Sequence, residues 1–185
     1  MDSSFAKLCL TQALFQLLER KPMESITISE LIERAGVSRS SFYRNYLNMD
    51  AILEEYLQTT FTGIQQSCAA QATTVRQYVL LFFAAVRQHQ WEFSVLRKRS
   101  LLGMLWPCFY NMNRDRILQM DVLDNRYQPY YFAGATYAML CAWVEFGFVD
   151  NEAEMADNFI KSLHGYADIH ADDPVELLWQ GKRAG

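Results

Sequence analysis

A short polar segment in the first third of the chain carries side chains that could recognise a nucleic acid. The segment from Ser38 to Tyr46 has hydroxyls, two arginines and an amide, with Phe42 and Tyr46 suited to anchor it. A guanidinium can form paired hydrogen bonds with guanine, so Arg39 is the first candidate for base contact. The phenol of Tyr43 can reach a backbone phosphate. We therefore expect a short helix whose exposed side contacts DNA.

The residues that precede this segment predict how the helix is positioned. Thr27 and Glu30 have the spacing of a capping box at the start of another helix. Gly36 suits the left-handed conformation that often ends a helix, and Ser38 can cap the next one. Two short helices joined by a tight turn containing glycine are typical of a helix-turn-helix, which places its second helix in the major groove.

The predicted DNA-contacting set consists mainly of the exposed polar residues of the second helix. Thr27 joins the set because amides at the start of the first helix can bind a phosphate. The set is Thr27, Ser38, Arg39, Ser40, Ser41, Tyr43, Arg44 and Asn45. Composition alone leaves a second interpretation open, in which the segment is a surface helical hairpin with solvated arginines.

The stretch ITISELIERAGVSRSSFYRNY resembles the DNA-binding domain of TetR-family transcriptional regulators. The likeness extends over about residues 5 to 60 and includes Asp50-Ala51-Ile52-Leu53. It departs from the family at Met49, where the family usually has a lysine that meets a DNA phosphate, so one favourable contact is lost. The resemblance implies a non-enzymatic regulator, expected to act as a homodimeric repressor on a near-palindromic operator and to be released by a small-molecule effector.

The rest of the chain predicts an all-α fold, because apolar residues recur every three or four positions. The resemblance implies an N-terminal three-helix helix-turn-helix domain followed by a helical dimerisation and ligand-binding domain. We place the first domain at 1–48, the second at 49–169, and a loosely ordered tail at 170–185. Helices are expected near residues 4–20, 27–35, 38–46, 48–66, 75–88, 92–105, 110–123, 129–148 and 151–163.

A stripe of small residues on the helix after Pro129 predicts where two copies of the chain meet. Small side chains allow helices to approach closely, so this helix and the last one could pair with their copies in a four-helix interface. The predicted interface residues are Gly134, Ala138, Cys141, Ala142, Glu145, Phe159 and Leu163. Packing within one chain is the alternative explanation of the stripe. A dimer would hold two reading heads roughly one DNA turn, 34 Å, apart.

Aromatic residues in the middle of the second domain indicate a candidate effector site. Aromatic walls with a few hydroxyls suit an apolar or aromatic small molecule, and its binding would shift the dimer between DNA-competent and incompetent states. The predicted ligand residues are Trp91, Trp106, Tyr110, Tyr127 and Tyr131. Aromatics at helical spacing also occur as ordinary core residues, so that alternative remains open.

The charge distribution is compatible with a DNA partner. The chain has a net charge of −4, yet residues 1–50 contain six basic and six acidic residues and are neutral. A small reading head needs cations only where it meets phosphates, so acidity elsewhere does not exclude specific binding. Met49 and the neutral head support one alternative, a helical interaction protein that has kept the fold without an operator.

Other function classes find little support in the sequence. The histidines His89, His164 and His170 have no metal-ligand spacing, and no phosphate loop or nucleophile elbow is present. We therefore predict no catalytic residue, metal or cofactor. The four scattered cysteines are expected to be free thiols. Without a basic, cleavable apolar segment or a membrane-length apolar run, the sequence predicts a cytoplasmic protein with no membrane partner.

Overall fold

The computed structural model describes residues 3–119, 128–163 and 171–175, with side chains described except at 113–119, 128–129 and 163. The all-α prediction is confirmed over this part of the chain, where helices account for nearly all regular structure. The α-helices are α1 Ser3–Arg20, α2 Ile28–Ala35, α3 Arg39–Asn45, α4 Asp50–Gln71, α5 Val75–Arg87, α6 Gln90–Lys98, α7 Trp106–Gln119, α8 Gln128–Glu145 and α9 Glu152–Leu163. Two short 3-10 helices cover Met23–Ser25 and Leu102–Leu105.

The chain forms two compact units that do not follow a single cut in the sequence. Unit 1 contains Met1–Thr60 and Trp91–Met104, and unit 2 contains Phe61–Gln90 and Leu105–Gly185. The boundary between the two functional domains was predicted at residue 48, whereas unit 1 continues into α4 and also includes most of α6. The functional division into 1–48 and 49–169 stays a prediction.

The helix starts follow local polar residues, as the sequence indicated. Thr27 accepts a hydrogen bond from the Glu30 amide at 3.2 Å, and Ser38 accepts one from the Ser41 amide at 3.1 Å. At the start of α9, Asn151 and Glu154 exchange backbone and side-chain hydrogen bonds at 2.8 and 2.9 Å. These bonds satisfy amides that have no partner within the first turn of a helix.

The helix boundaries differ most from the sequence prediction between residues 92 and 110. The helix expected over 92–105 ends at Lys98, and Ser100 adopts a left-handed conformation with φ 58°. Residues after it form the second 3-10 helix, and α7 starts at Trp106 instead of Tyr110. Ser100 is not a glycine, and a left-handed non-glycine residue has a conformational cost that tertiary contacts must offset.

The core of unit 1 joins the first three helices to the start of α4. The helix α1 packs against α2 and α3. Its buried side consists of Leu10, Leu14, Phe15 and Leu18, opposite Leu31 of α2, Phe42 of α3 and Ile52, Leu53 and Leu57 of α4. Complete burial of a large apolar side chain contributes about 1.5–3 kcal/mol. This core therefore fixes the orientation of the short helix α3.

In unit 2, α5 packs against α9 and α7 packs against α8. Phenylalanines fill the space between them: Phe83 lies edge-on to Trp143 at 5.4 Å and contacts Phe159 at 6.3 Å between ring centroids. Phe61 and Phe109 lie 5.2 Å apart. Many of the aromatic residues in this unit are therefore used for packing.

Arg87 fixes the connection between α8 and α9. Its guanidinium donates to the carbonyl of Asp150 at 2.6 Å, forms an ion pair with Glu152 and lies 4.8 Å from the Trp143 ring centroid. The indole of Trp143 also donates to the Asp150 carbonyl, at 3.0 Å. Charged hydrogen bonds and the cation–π contact both restrain this turn.

Residues 171–175 attach to the start of α5. The Val75 amide donates to the Asp173 carbonyl at 2.9 Å, and the Arg76 amide donates to the Ala171 carbonyl at 3.0 Å. Pro174 forms an isolated antiparallel bridge with Thr74, and Val175 is buried. Five residues of the segment expected to be loosely ordered are thus fixed by backbone bonds, and the remainder of 170–185 lies outside the described residues.

None of the helices described is long and apolar enough to cross a membrane.

Candidate nucleic-acid interface

The short helix α3 has one buried side and one exposed side. Phe42 is fully buried, and Tyr46, which ends the helix, is 6% exposed. The predicted anchoring role of both residues is confirmed. Because seven residues make only two turns, these anchors leave the opposite side of α3 to solvent.

The exposed side of α3 holds most of the predicted DNA-contacting residues. We call this surface the reading face: its exposed members are Ser38, Arg39, Ser40, Tyr43 and Arg44, and Ser41 and Asn45 are partly buried. Tyr43 is 50% exposed and rests edge-on against Phe42, with ring centroids 5.1 Å apart. Its ring is therefore held in place on the exposed side of α3. Local packing and capping bring these residues together.

Arg39 is held by Ser29, a residue outside the predicted DNA-contacting set. Its guanidinium donates to the Ser29 hydroxyl of α2 at 2.9 Å. A hydrogen bond between exposed side chains contributes little stability, but it restricts where an otherwise flexible guanidinium lies. Ser29 is exposed in the first turn of α2. This position could have identified it from the sequence, because residues early in α2 lie on the same side as the turn.

Asn45 has a different environment from the other members of the predicted set. Its amide donates to the Ser41 carbonyl at 2.7 Å and accepts a hydrogen bond from the Ser3 hydroxyl of α1. Both ends of the side chain are therefore engaged within unit 1. This arrangement favours a role in holding α1 against α3 over a direct contact with a base.

The start of α2 lies beside a charged pair. Thr27 is exposed, and the Glu30 carboxylate accepts a hydrogen bond from the Lys21 ammonium. The pKa of Glu30 is lowered, first by that hydrogen bond, then by the charge of Lys21 and the Thr27 backbone amide, against a smaller opposing effect of desolvation. Glu30 is therefore ionised at neutral pH, and Lys21 offsets its charge beside the expected phosphate contact.

The turn between α3 and α4 carries apolar residues near the reading face. Leu47 is almost fully exposed and Met49 is partly buried, while Asn48 caps α4 by accepting a hydrogen bond from the Ala51 amide at 2.9 Å. The predicted cap at Asn48 is confirmed. A thioether cannot neutralise a phosphate, so Met49 does not replace the lysine expected at this position.

The predicted ligand residues belong to different parts of the molecule. Trp91 lies in unit 1, whereas Trp106, Tyr110 and Tyr131 lie in unit 2. Trp106 is within 6.4 Å of Tyr110, measured between ring centroids, and Tyr131 is exposed. Tyr127 lies outside the described residues. Within unit 2, the structure therefore brings Trp106 and Tyr110 together as a contacting pair.

The predicted dimer residues divide into surface and core. Ala138 and Glu145 are exposed on α8, and Gly134, Cys141 and Ala142 are partly exposed. Phe159 is different: it is 6% exposed and packs against Phe83 and Phe132 of its own chain, with centroids 6.3 and 5.9 Å apart. Its burial makes it a core residue of unit 2 and does not support its assignment to an interface. The side chain of Leu163 lies outside the described part.

Comparison with known proteins agrees with this geometry. Residues 10–56 match the family described as "Bacterial regulatory proteins, tetR family". One relative is the "Uncharacterized HTH-type transcriptional regulator YxbF" of Bacillus subtilis (strain 168), 26% identical over 152 residues. The alignment covers 72% of this chain and 38% of the relative, so the chain spans about two fifths of the relative's length.

Two solved structures share the fold of the whole chain. The fatty acid degradation regulator FadR from Bacillus halodurans has a TM-score of 0.61 and 12% identity, covering 89% of this chain and 97% of that one. A tetR-family transcriptional regulator from Streptomyces coelicolor has a TM-score of 0.50 and 15% identity, covering 90% and 84%. Identities this low relate the folds alone.

The buried anchors of α3, its polar exposed side and the left-handed turn at Gly36 define a helix-turn-helix protein. Together with the match over residues 10–56, they show that the chain carries the DNA-binding domain of the TetR family of transcriptional regulators. This is a family of regulators and not of enzymes, which confirms the non-enzymatic prediction.

Proposed function

We propose that this chain is a cytoplasmic DNA-binding repressor that acts as a homodimer on a near-palindromic operator and is released by a small-molecule effector. The observation that carries the proposal is the reading face, where a buried Phe42 holds exposed arginines, hydroxyls and a phenol on one side of α3. Such a helix suits the major groove, whose base edges present hydrogen-bond donors and acceptors.

Most residues of the reading face, together with Thr27, contact DNA in different ways in this proposal. Arg39, held by Ser29, makes a bidentate contact with a guanine. Tyr43 and Arg44 bind phosphates and set the register of the helix. Thr27 adds a phosphate contact through the first amides of α2, where the positive end of the helix dipole lies. Ser38, Ser40 and Ser41 line the first turn of α3, the part nearest the bases.

The dimer completes the function because one short helix reads few base pairs. The exposed positions of the small-residue stripe, Ala138 and Glu145 with the partly exposed Gly134, Cys141 and Ala142, support α8 as the dimer surface. Two copies related by a two-fold axis would contact each other through the same residues and read two half-sites.

Selection of bound fragments from a genomic DNA library tests the proposal. We expect the full-length protein to enrich a short palindromic site. Arg39→Ala should weaken preference for one base pair of each half-site by roughly 1–3 kcal/mol, because it removes a paired hydrogen bond to a base. Arg44→Ala should instead weaken binding to all sequences, because it removes a phosphate contact.

Lys161→Gln provides the control, since it removes one positive charge from an exposed site on α9 in unit 2. It should leave the selected sequence unchanged. Enrichment of no site, with equal and weak binding to every fragment, would contradict operator recognition and favour an interaction protein that has kept only the fold.

A further inference from the structure

Unit 1 contains a groove on the side formed by α1, the first part of α4 and α6. Its volume is about 400 Å³, and we call it the α1 groove. The groove opens to solvent beside Trp91, which is 44% exposed, and Leu8, which is also exposed. Four aromatic rings and two carboxylates line it: Phe15, Tyr46, Tyr56, Trp91, Glu55 and Glu92. Of these residues, only Trp91 was predicted from the sequence to contact a ligand.

The aromatic rings form walls without filling the groove. Phe15 contacts Tyr56 edge-on, with centroids 4.9 Å apart, and Trp91 at 5.9 Å. Trp91 is further held by a long hydrogen bond of 3.5 Å from its indole nitrogen to the Glu19 carboxylate. Phe15 is only 2% exposed and supports the cluster from the core, whereas Trp91 offers exposed ring surface to a ligand. The faces of such rings carry negative potential.

The charges in the groove favour a cation. Glu55 and Glu92 contribute two negative charges, and Lys7 is the single cation of the lining, which leaves one net negative charge. Burial is the main cause of the raised pKa of Tyr56, and the Glu92 carboxylate raises it further, so the phenol stays neutral and adds no charge of its own. An anionic ligand would meet two carboxylates here.

One end of the groove already holds a cation against a ring. The Lys7 ammonium lies 5.5 Å from the Tyr46 ring centroid and 2.7 Å from a Glu55 carboxylate oxygen. The other end offers the same two kinds of group, the aromatic ring of Trp91 and the carboxylate of Glu92. Lys7, the cation of the lining, lies at the first end. Aromatic faces and carboxylates together are the groups that bind organic cations.

We propose that the α1 groove binds a planar aromatic cation, with its rings against Trp91 and its positive charge beside Glu92. This names the ligand class of the effector and places its site in unit 1. Tyr46 lines the opposite end of the groove and also ends α3, so the groove adjoins an anchor of the reading face. The effect on DNA rests on the proposed function, whereas binding itself can be measured without DNA.

The test compares a permanent cation with its neutral counterpart. The full-length protein is titrated with N-methylacridinium and with acridine at slightly alkaline pH, where acridine is neutral, and ligand and tryptophan fluorescence are followed. We expect saturable binding of N-methylacridinium about tenfold tighter than that of acridine, because a desolvated cation gains a cation–π and a carboxylate interaction.

Two near-isosteric variants separate the groove from general charge attraction. Glu92→Gln should weaken N-methylacridinium about tenfold and leave acridine unchanged. Glu54→Gln removes the same charge from an exposed position of α4 outside the groove, and should leave both affinities unchanged. Trp91→Leu should weaken both ligands, while Trp106→Leu in unit 2 should not.

The possible outcomes decide between the site and its role. Equal affinity for the two acridines, or equal losses in Glu92→Gln and Glu54→Gln, would overturn the site. If N-methylacridinium binds as expected, it should change the affinity of the unmodified protein for the selected operator by roughly 5- to 150-fold, the usual range of coupling between sites, and should affect Glu92→Gln much less at the same concentration. Equal changes in the two proteins would indicate intercalation of the dye into the operator and would overturn the effector role. Binding without any change in operator affinity would overturn the effector role, and failure to select an operator would overturn only the proposed function.

Discussion

The helices α3 and α8 make opposite use of their residues. In α3, Phe42 is the single fully buried side chain of seven, and polar groups occupy the exposed side. In α8, apolar and small residues occur all around an 18-residue helix, with Leu140 and Trp143 buried while Tyr130 and Tyr131 are exposed. A polar residue on α3 therefore has few roles available to it, whereas an apolar residue on α8 can serve the core, a partner or a ligand.

The largest expected change in stability distinguishes two neighbouring residues of α3. Phe42→Ala should lower the free energy of unfolding by about 3–5 kcal/mol, because it leaves a cavity in the core of unit 1. Tyr43→Ala should lower it by well under half of that value, because half of this side chain is already in solvent, and should instead weaken DNA binding. Urea denaturation followed by circular dichroism measures the first effect and operator titration the second.

Equal stability losses in Phe42→Ala and Tyr43→Ala would remove the distinction between an anchoring and a reading side of α3.

A charge on the small-residue stripe tests the other helix. Ala138→Glu should weaken dimerisation by roughly 2–5 kcal/mol if α8 forms the interface, because an unpaired carboxylate would be buried between the copies. The fold of each chain should be retained, since Ala138 is exposed within it. Sedimentation equilibrium of the full-length protein measures the change in association.

Ala70→Glu is the matched control, because it introduces the same charge at an exposed alanine of α4. A dimer that tolerates Ala138→Glu as well as it tolerates Ala70→Glu would place the interface elsewhere.

The smallest expected changes in stability come from substitutions at two glycines with different backbone conformations. An added Cβ meets nothing within 4 Å at either Gly36 or Gly63, so space does not distinguish them. Gly36 has φ 65° at the end of α2, and Gly36→Ala should destabilise by about 1–2 kcal/mol because of left-handed strain. Gly63 lies inside α4, and Gly63→Ala should stabilise by about 0.5–1 kcal/mol.

Thermal unfolding of the two variants and of the unmodified chain measures whether each substitution stabilises or destabilises the fold. A stabilising Gly36→Ala would contradict the left-handed turn that joins α2 to α3.

Local features of the first 60 residues could be predicted from the sequence because each depends on near neighbours. The Thr27 and Ser38 caps and the left-handed Gly36 need only residues three or four positions away. Contacts between distant segments could not be predicted in this way. Trp91 joins unit 1 through Phe15, and Arg99 donates to the Leu18 and Glu19 carbonyls at the end of α1. These pairs are about 80 residues apart, and no periodicity encodes them.

The candidate sites show the same limit. The reading face was predictable because polar residues on a short helix with apolar anchors have one sensible orientation. Phe159 was assigned to an interface although it fills the core, because hydropathy does not distinguish the two. The α1 groove combines residues from three helices, so only its tryptophan had a signal in the sequence.

The bonds between residues 171–175 and the start of α5 also bear on the order in which the protein is made. The amides of Val75 and Arg76 find their carbonyl partners almost a hundred residues later, in Asp173 and Ala171. During synthesis the first turn of α5 emerges from the ribosome long before those partners exist, with only the Thr74 side chain to cap it. Completion of α5 must therefore follow translation of α9, whereas the helices of the reading face can form while the ribosome is still working.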